Sequence, residues 1–507
     1  MTEKQNGFTL DRLLFAIFIG AGLFLWQSRF GFSLWDEGHL WYGAQRVLAG
    51  EVPILDFRSY DPGRYYWSAA WMALWKNDGI LALRASAVIF LIPGLWAGLC
   101  LIPRSKKWGS CLFIFLSCLI LSAWLFPRHK LFDISVCLML TASLAEVIAN
   151  PSFRRCFLYG LVTGLASFFG RNHGVYGVAG GILAVVYLAM TSDVCRNWIK
   201  MAAGLGCGLA AGGVPFFLLF LLVPGFLLSF WDSLLVTGNT VLPVSVPWPW
   251  TVDFGVVSNG VAARQVLVGL SFVALVLVGI TGVFSLLYFG WKKRKISPAL
   301  AASVLMVIPY AHHAFSRADI SHLAQGIFPL LLAVLIGLAL LPRWIKWSVS
   351  LCVFVISLLV MLPVHPGWQG RNNPAWIERD IGGDRLRVPP SVASDVDMLE
   401  ELVQMYAPGS RSFVVVPYWP GAYALTRRKA PLCDIYPLFE RSEEFQRQEI
   451  DRIQKSDPGF AVVLDFPLDG MEARRFKNTN PQIEEYIRTH FEPVEGFPAA
   501  YQVYRSR

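Results

Sequence analysis

Charged side chains are scarce in this chain: Asp, Glu, Lys and Arg make up 16% of its 507 residues, against about a quarter in soluble domains. That scarcity excludes an ordinary soluble protein, because 55% of the residues are hydrophobic and 14% aromatic and most of them must be solvated by lipid. A long basic stripe is also missing. The net charge of +9 is spread as short clusters between apolar blocks, so nucleic acid is not the implied partner; the excess of Lys and Arg in cytoplasmic loops explains the charge better. Cysteines offer no disulfide framework, since eight of the nine lie in or beside apolar blocks and only Cys433 falls in the polar C-terminal region. Acceptor sites of the form N-x-[ST] with x other than Pro are absent as well, which with short internal loops fits a bacterial inner membrane.

What is abundant is apolar sequence in blocks long enough to cross a hydrocarbon core, which takes roughly 20 helical residues. Leu10 to Gln27 is the first block. Asp11 and Arg12 at its start, Trp26 at its end and no small-residue cleavage site after it read as a retained anchor. About eleven spans are expected, beginning near Leu10, Ile80, Gly109, Leu131, Cys156, Gly174, Ile199, Gln265, Pro298, Ala324 and Trp347. The basic loops Arg104/Lys106/Lys107, Arg154/Arg155, Arg196/Lys200, Lys292 to Lys295 and Arg343/Lys346 then share one face, which is cytoplasmic by the positive-inside rule. The N-terminus is expected in the cytoplasm. Residues 30–79, 225–264, 315–322 and everything after Pro363 are expected outside. Pro62 to Lys76 is aromatic but short for a span, and His39 to Ala49 is amphipathic; both are expected to lie in the interface.

From His365 onward the chain turns polar. Residues 1–363 read as the transmembrane domain and 364–507 as an extracytoplasmic domain, so the fold class is a polytopic α-helical membrane protein with a C-terminal soluble α/β domain. Helices are expected from Ser394 to Tyr406, Glu443 to Gln454 and Pro481 to His490, and strands at Phe413 to Val416, Ala461 to Phe466 and Tyr501 to Tyr504. This region holds no glycine-rich phosphate loop, metal-spaced histidines or nucleophile elbow, so a structural or acceptor-binding role is the better reading of it.

Immediately after the first span comes SLWDEGHLWYGAQRVLAGEVPILDFRSYDPGRYYW. Two adjacent acids at a membrane surface, Asp36 and Glu37, need pairing or hydration and mark a candidate site. The order is a first span, an acidic pair, an amphipathic helix ending in Gly50, then Pro53 and Asp56, then a Pro-aromatic helix from Asp61 to Trp67. It resembles the GT-C superfamily of membrane glycosyltransferases, most of all the branch with protein O-mannosyltransferases and lipid A aminoarabinose transferases. The resemblance is detailed over residues 10–100 and consistent in topology beyond.

It implies an inverting glycosyltransferase that moves a sugar from a polyprenyl-phosphate donor to an acceptor hydroxyl on the extracytoplasmic face. In that family an aspartate at the position of Asp36 is the general base or acceptor orienter. Physically, a hydroxyl becomes a competent nucleophile when a carboxylate takes its proton, an effect of about 10² to 10⁴ in rate. Glu37 is the second catalytic candidate, with a purely structural charge as its alternative. Asp56 and Asp61 favour a turn reading beside their Pro and aromatic neighbours, with contact to the acceptor sugar as the alternative for both.

A departing lipid phosphate needs cationic donors at the external ends of spans. PRHKLFD supplies Arg128, His129 and Lys130; GRNHG supplies Arg171 and His173; HHAFSRADISH supplies His312, His313, Arg317, Asp319 and His322. Arg317, His322, Arg128, Lys130 and Arg171 are the phosphate candidates, and Asp319, Asp61 and His173 the substrate-binding ones. The last stretch resembles the late-loop polar motifs of bacterial GT-C enzymes. No cofactor is implied, and the histidines lack the Cys or HExxH pattern of a metal site. The expected partners are the polyprenyl-phosphate sugar, a lipid, glycan or protein acceptor, and membrane lipids. A flippase or transporter would place its charges at mid-membrane and show repeated halves; a ligase using a diphosphate lipid differs mainly in donor.

Overall fold

The structure is a computed structural model that describes residues 10–103, 108–191, 198–239, 243–256, 258–294, 296–498 and 500–507. Arg104, Lys106, Lys107, Arg196 and Lys295, which carry part of the charge pattern, lie outside the described residues. Each of the eleven expected spans coincides with a helix. Among the described residues seven helices are long and apolar enough to cross a bilayer: Leu10–Gln27, Ile80–Leu101, Arg128–Ala149, Arg171–Thr191, Asn259–Trp291, Pro298–Ser316 and Arg343–Val364. Two pairs bent by 50°, Trp198–Gly212 with Val214–Leu222 and Ile320–Gly326 with Phe328–Ala339, raise the number to nine if each is one span. The helices near Gly109 and Cys156 are shorter, at 16 and 17 residues. This is a multi-pass membrane protein.

The chain divides into two compact units, Met1–Trp26 with Ala87–Leu222 and Leu242–Trp368, and Gln27–Ser86 with Val223–Val241 and Gln369–Arg507. In the first, helix Phe153–Phe169 lies backbone to backbone against Trp198–Gly212. Gly160 and Gly164 on one and Gly204, Gly208 and Gly212 on the other make this possible, since added Cβ atoms there would strike main-chain atoms. Small residues four apart let membrane helices approach where lipid offers no hydrophobic drive.

The second unit gathers three segments distant in sequence. Helix Asp36–Leu48 and helix Gly63–Trp75 come from the first loop; at 13 residues the latter is roughly 20 Å long, short of a bilayer core. Helix Phe226–Asn239 occupies the start of segment 225–264, expected from sequence to be an external loop. The C-terminal part holds a four-stranded sheet, spatial order β3 (Val414–Val416), β4 (Phe460–Leu464), β6 (Tyr501–Ser506), β5 (Phe491–Val494). β3 and β4 run parallel and the other pairs antiparallel. Helices Glu443–Ser456 and Pro481–His490 contribute Ile453, Ile483 and Ile487 to a core with Val414, Val416, Ala461 and Val463. A hairpin, β1 (Ile377–Ile381) with β2 (Asp384–Val388), precedes the sheet. Its turn is Gly382-Gly383, both at positive φ, where a side chain on L-residues is disfavoured.

Main-chain bonds join these segments. Gly31 N–H donates to Arg387 O and Arg387 N–H to Arg29 O, each at 2.8 Å, and Arg58 N–H donates to Cys433 O at 2.8 Å. Arg58 also pairs with Asp232. The Cys433–Asp434 turn is clamped by buried Glu449, whose Oε2 accepts both amides at 2.8 and 3.1 Å.

Two predictions follow from this packing. A methyl at Gly208 would come within 2.1 Å of the Phe157 carbonyl oxygen, so Gly208→Ala is expected to lower the melting temperature in detergent by the equivalent of about 1–3 kcal/mol; an unchanged melt would mean the two helices separate freely. Burial pushes the Glu449 carboxyl up to about 7 from an ordinary 4.5. The folded state then binds more protons than the unfolded chain between those values, so this group's contribution falls as pH rises through that window. Glu449→Gln is therefore expected to gain on wild type, by up to on the order of 3 kcal/mol, between about pH 5 and pH 8, read as diverging melting temperatures.

Candidate active site

Asp36 begins helix Asp36–Leu48, where a carboxylate also complements the helix N-terminus. The preceding residue, Trp35, stacks on Tyr418 at 4.4 Å between ring centroids, and Tyr418 on Phe466 at 4.5 Å. Gly38 passes Gly421 so closely that an added Cβ would sit 2.5 Å from its Cα. Gly421 N–H donates to Leu34 O at 2.8 Å, fixing the entry to the helix. Asp36 is half-buried, and its Oδ1 accepts the Tyr60 hydroxyl at 3.3 Å. Burial, then the charge of Asp36, pushes the Tyr60 phenol well above its ordinary range, so Tyr60 stays a donor.

Glu37 faces the other way. Its two oxygens accept from Arg84 Nε and Nη2 at 2.8 and 2.7 Å, with both side chains buried. Arg84 also donates to the Ser28 carbonyl and, at 2.7 Å, to the Gly31 carbonyl. Asp61 is buried at the head of the turn into helix Gly63–Trp75. The buried Arg64 guanidinium lies 5.1 Å from the Tyr60 ring centre, and the His39 ring packs edge-on against Tyr60 at 4.9 Å. Asp56 closes a turn by accepting Val52 N–H at 2.7 Å.

In the first unit, the three basic motifs converge. Helix Leu131–Ala149 presents Asp133 in its first turn, helix Arg171–Thr191 begins with the RNHG residues, and helix Pro298–Ser316 ends with Tyr310, His312 and His313. His173 Nε2–H donates to Asp133 Oδ1 at 2.8 Å, which leaves Nδ1 to accept the Tyr310 hydroxyl at 2.9 Å. The Asn172 amide donates to His313 Nδ1 at 3.1 Å, and His313 Nε2 faces Gln325 Oε1 at 3.2 Å. The Tyr176 hydroxyl meets His312 Nδ1 at 3.1 Å. The His313 and His322 rings are 5.7 Å apart.

Asp319 caps helix Ile320–Gly326 through His322 N–H, and its Oδ1 also accepts His322 Nδ1–H at 2.9 Å. Arg317 Nε donates to Asp319 Oδ2 at 2.9 Å. Burial pushes the Asp319 carboxyl up, but the His322 and Arg317 contacts outweigh it and hold the carboxyl below its ordinary value. Arg128, His129 and Lys130 form the half-buried turn that leads into the helix carrying Asp133, and Arg171 starts the helix carrying His173. Arg128, Lys130, Arg171, Arg317 and His322 thus belong to one end of the helix bundle. Among the described residues no group of three or more His, Cys, Asp or Glu side chains is arranged to hold a metal.

No protein-family model matches the sequence, and no curated protein matches it significantly. Solved structures do. The chain superposes on ArnT from Cupriavidus metallidurans bound to undecaprenyl phosphate with a TM-score of 0.57 and 13% identity, over 97% of each chain. For the apo state of that protein the TM-score is 0.51 at 13% identity, again over 97% of each. A looser likeness links it to the Archaeoglobus fulgidus oligosaccharyltransferase in the apo form, TM-score 0.45 and 11% identity, over 98% of this chain and 74% of that one. This is the GT-C fold.

From the sequence, Asp36 and its motif were legible, but Tyr60, Arg84, Tyr310 and Gln325 were not. Arg84 is a lone cation inside a span, and such residues are functional or structural by default; that signal was present. Tyr310 and Gln325 carry none, being ordinary residues until His173 and His313 are brought beside them. Removing one partner of a buried pair strands the other charge, so Arg84→Ala is expected to cost about 3–5 kcal/mol in thermal unfolding. A variant as stable as wild type would deny Glu37 and Arg84 their anchoring role.

Proposed function

We propose that this protein is an inverting glycosyltransferase that takes a sugar from a polyprenyl-phosphate donor and passes it to an acceptor hydroxyl on the extracytoplasmic side of a bacterial inner membrane. The observation carrying this reading is the GT-C fold over 97% of both chains, matched to a protein solved with undecaprenyl phosphate. In this reading the N-terminus is cytoplasmic. Asp36 accepts the proton of the acceptor hydroxyl as its oxygen bonds to the anomeric carbon. The bond from that carbon to the phosphate oxygen breaks, and the lipid phosphate leaves with the electron pair. Tyr60, donating to Asp36 Oδ1, orients the carboxylate without competing for the proton.

Arg317, His322, Arg128, Lys130 and Arg171 hold the lipid phosphate in this proposal, since charge-assisted hydrogen bonds stabilise the departing anion without a protonated acid. Asp319 keeps Arg317 and His322 in place, His173 orders the bundle end through Asp133, and Asp61 supports the loop facing the acceptor. The bidentate contact to Arg84 favours a positioning role for Glu37.

The test is transfer of label from a panel of polyprenyl-phosphate sugars by wild type, Asp36→Asn and Tyr60→Phe in detergent, with a membrane extract as acceptor. Asp36→Asn is expected to lose at least about 10²-fold in rate while still binding donor, and Tyr60→Phe to lose less. Transfer by Asp36→Asn at the wild-type rate would remove Asp36 as the base. Transfer only from diphosphate-linked glycans would replace the proposed donor with that of a ligase.

A further inference from the structure

On the second unit, away from Asp36 in sequence and made by other elements, lies a concavity of about 580 Å³. Its wall is built from the strand lead-in 409–412, the turn 426–431 and the C-terminal end of helix Glu443–Ser456. Five cationic side chains line it: Arg427, Arg428, Lys429, Arg452 and Lys455. Ser410, Ser412, Thr426 and Ser456 line it as well, the Ser412, Thr426 and Ser456 hydroxyls donating to the Ser456, Ala422 and Ile453 carbonyls with their oxygens left to accept, and no Asp or Glu is among the lining residues.

The cations differ in how they are held. Arg428 is part of the wall, donating to the carbonyls of Ala407, Arg411 and Gly409. Arg427 leans on Asp78 at 3.0 Å and Lys429 on Glu51 at 2.7 Å, yet their side chains remain 52% and 64% exposed. Arg452 meets Glu449 at 3.3 Å and is 51% exposed. Lys455 makes no ion pair among the described residues. Three acids therefore face five cations from outside the lining, which leaves a positive excess over a concave surface. Exposed pairs of this kind are worth little in water and release their cations readily to a better anion.

We infer that this concavity is a binding site for a phosphate ester, of the class of phosphorylated saccharides. Guanidinium forks match phosphate oxygens in pairs, while Ser and Thr hydroxyls suit sugar hydroxyls; the volume lies in the range of small-molecule sites and exceeds what one phosphate requires. The ester group reaches the site either free in solution or as the headgroup of an anionic lipid, and the recognition chemistry is the same. This site stands whether or not the chain transfers a sugar, because none of its residues belongs to the acid and base machinery above.

The test uses the full chain in detergent, with fructose 1,6-bisphosphate and inorganic pyrophosphate as soluble probes and sulfate at equal ionic strength as control. Titration is followed by calorimetry and by melting temperature. A parallel arm measures binding to nanodiscs with and without phosphatidate. Saturable binding to either arm is expected for wild type, weakened at least about tenfold in Arg427→Gln/Lys429→Gln/Lys455→Gln and kept in Lys429→Arg/Lys455→Arg. Binding in the soluble arm assigns a free ester, and binding in the nanodisc arm alone assigns a lipid headgroup. No binding in either arm, binding no tighter than sulfate, or a triple Gln variant that binds like wild type while melting normally would overturn the site.

Discussion

Every proposed role for Asp36 depends on how its neighbour Glu37 is held. Glu37 and Arg84 form a buried, bidentate ion pair, and Arg84 donates two further bonds to the carbonyls of Ser28 and Gly31. Within the second unit one guanidinium thereby ties Ser28, Gly31 and the start of helix Asp36–Leu48 together. Desolvating both charges costs several kcal/mol, which the pair recovers only with good geometry and further hydrogen bonds; here the contact is bidentate and four of the five guanidinium N–H groups have acceptors. The result is an aspartate whose main chain cannot drift, since Glu37 is its immediate neighbour.

A second buried polar assembly sits in the helix bundle. Asp133, His173 and Tyr310 are almost fully buried, and through Asn172, His313 and Gln325 the same level of the bundle carries a further set of hydrogen bonds. Such groups inside a membrane protein are tolerated only when their partners are supplied internally. Each ring nitrogen described here has one, so the network fixes the relative rotation of three spans. The cations at the bundle end, Arg128, Lys130, Arg171 and Arg317, inherit their placement from it.

The C-terminal part earns its place by the same logic of shared backbone bonds. Helix Asp36–Leu48 could not stand alone as an amphipathic segment of 13 residues. It is held by Gly38 against Gly421, by the Tyr42 hydroxyl accepting Ala430 N–H at 3.0 Å, and by the Trp41 indole donating to Asp78 O at 2.7 Å. Glu449 in turn fixes the turn that receives Arg58.

Membrane character, helix positions and most C-terminal elements were legible in the chain because hydrophobic block length and polar punctuation are local properties. Helix Pro481–His490 is found where its Pro start and amphipathic pattern place it. Hairpin β1–β2 was not legible, since its strands IERDI and DRLRV are too charged to read as strands and only the glycine pair marks the turn. The acidic motif and the three basic motifs were visible as residues that break apolar surroundings. By itself the sequence determined which residues carry charge into or beside the membrane. Tertiary structure alone decided their assignment: Asp36 received a phenol donor, Glu37 a guanidinium, and His173 a carboxylate and a phenol. Those partners lie 24, 47, 40 and 137 residues away in the chain, and no local pattern encodes contacts across such separations.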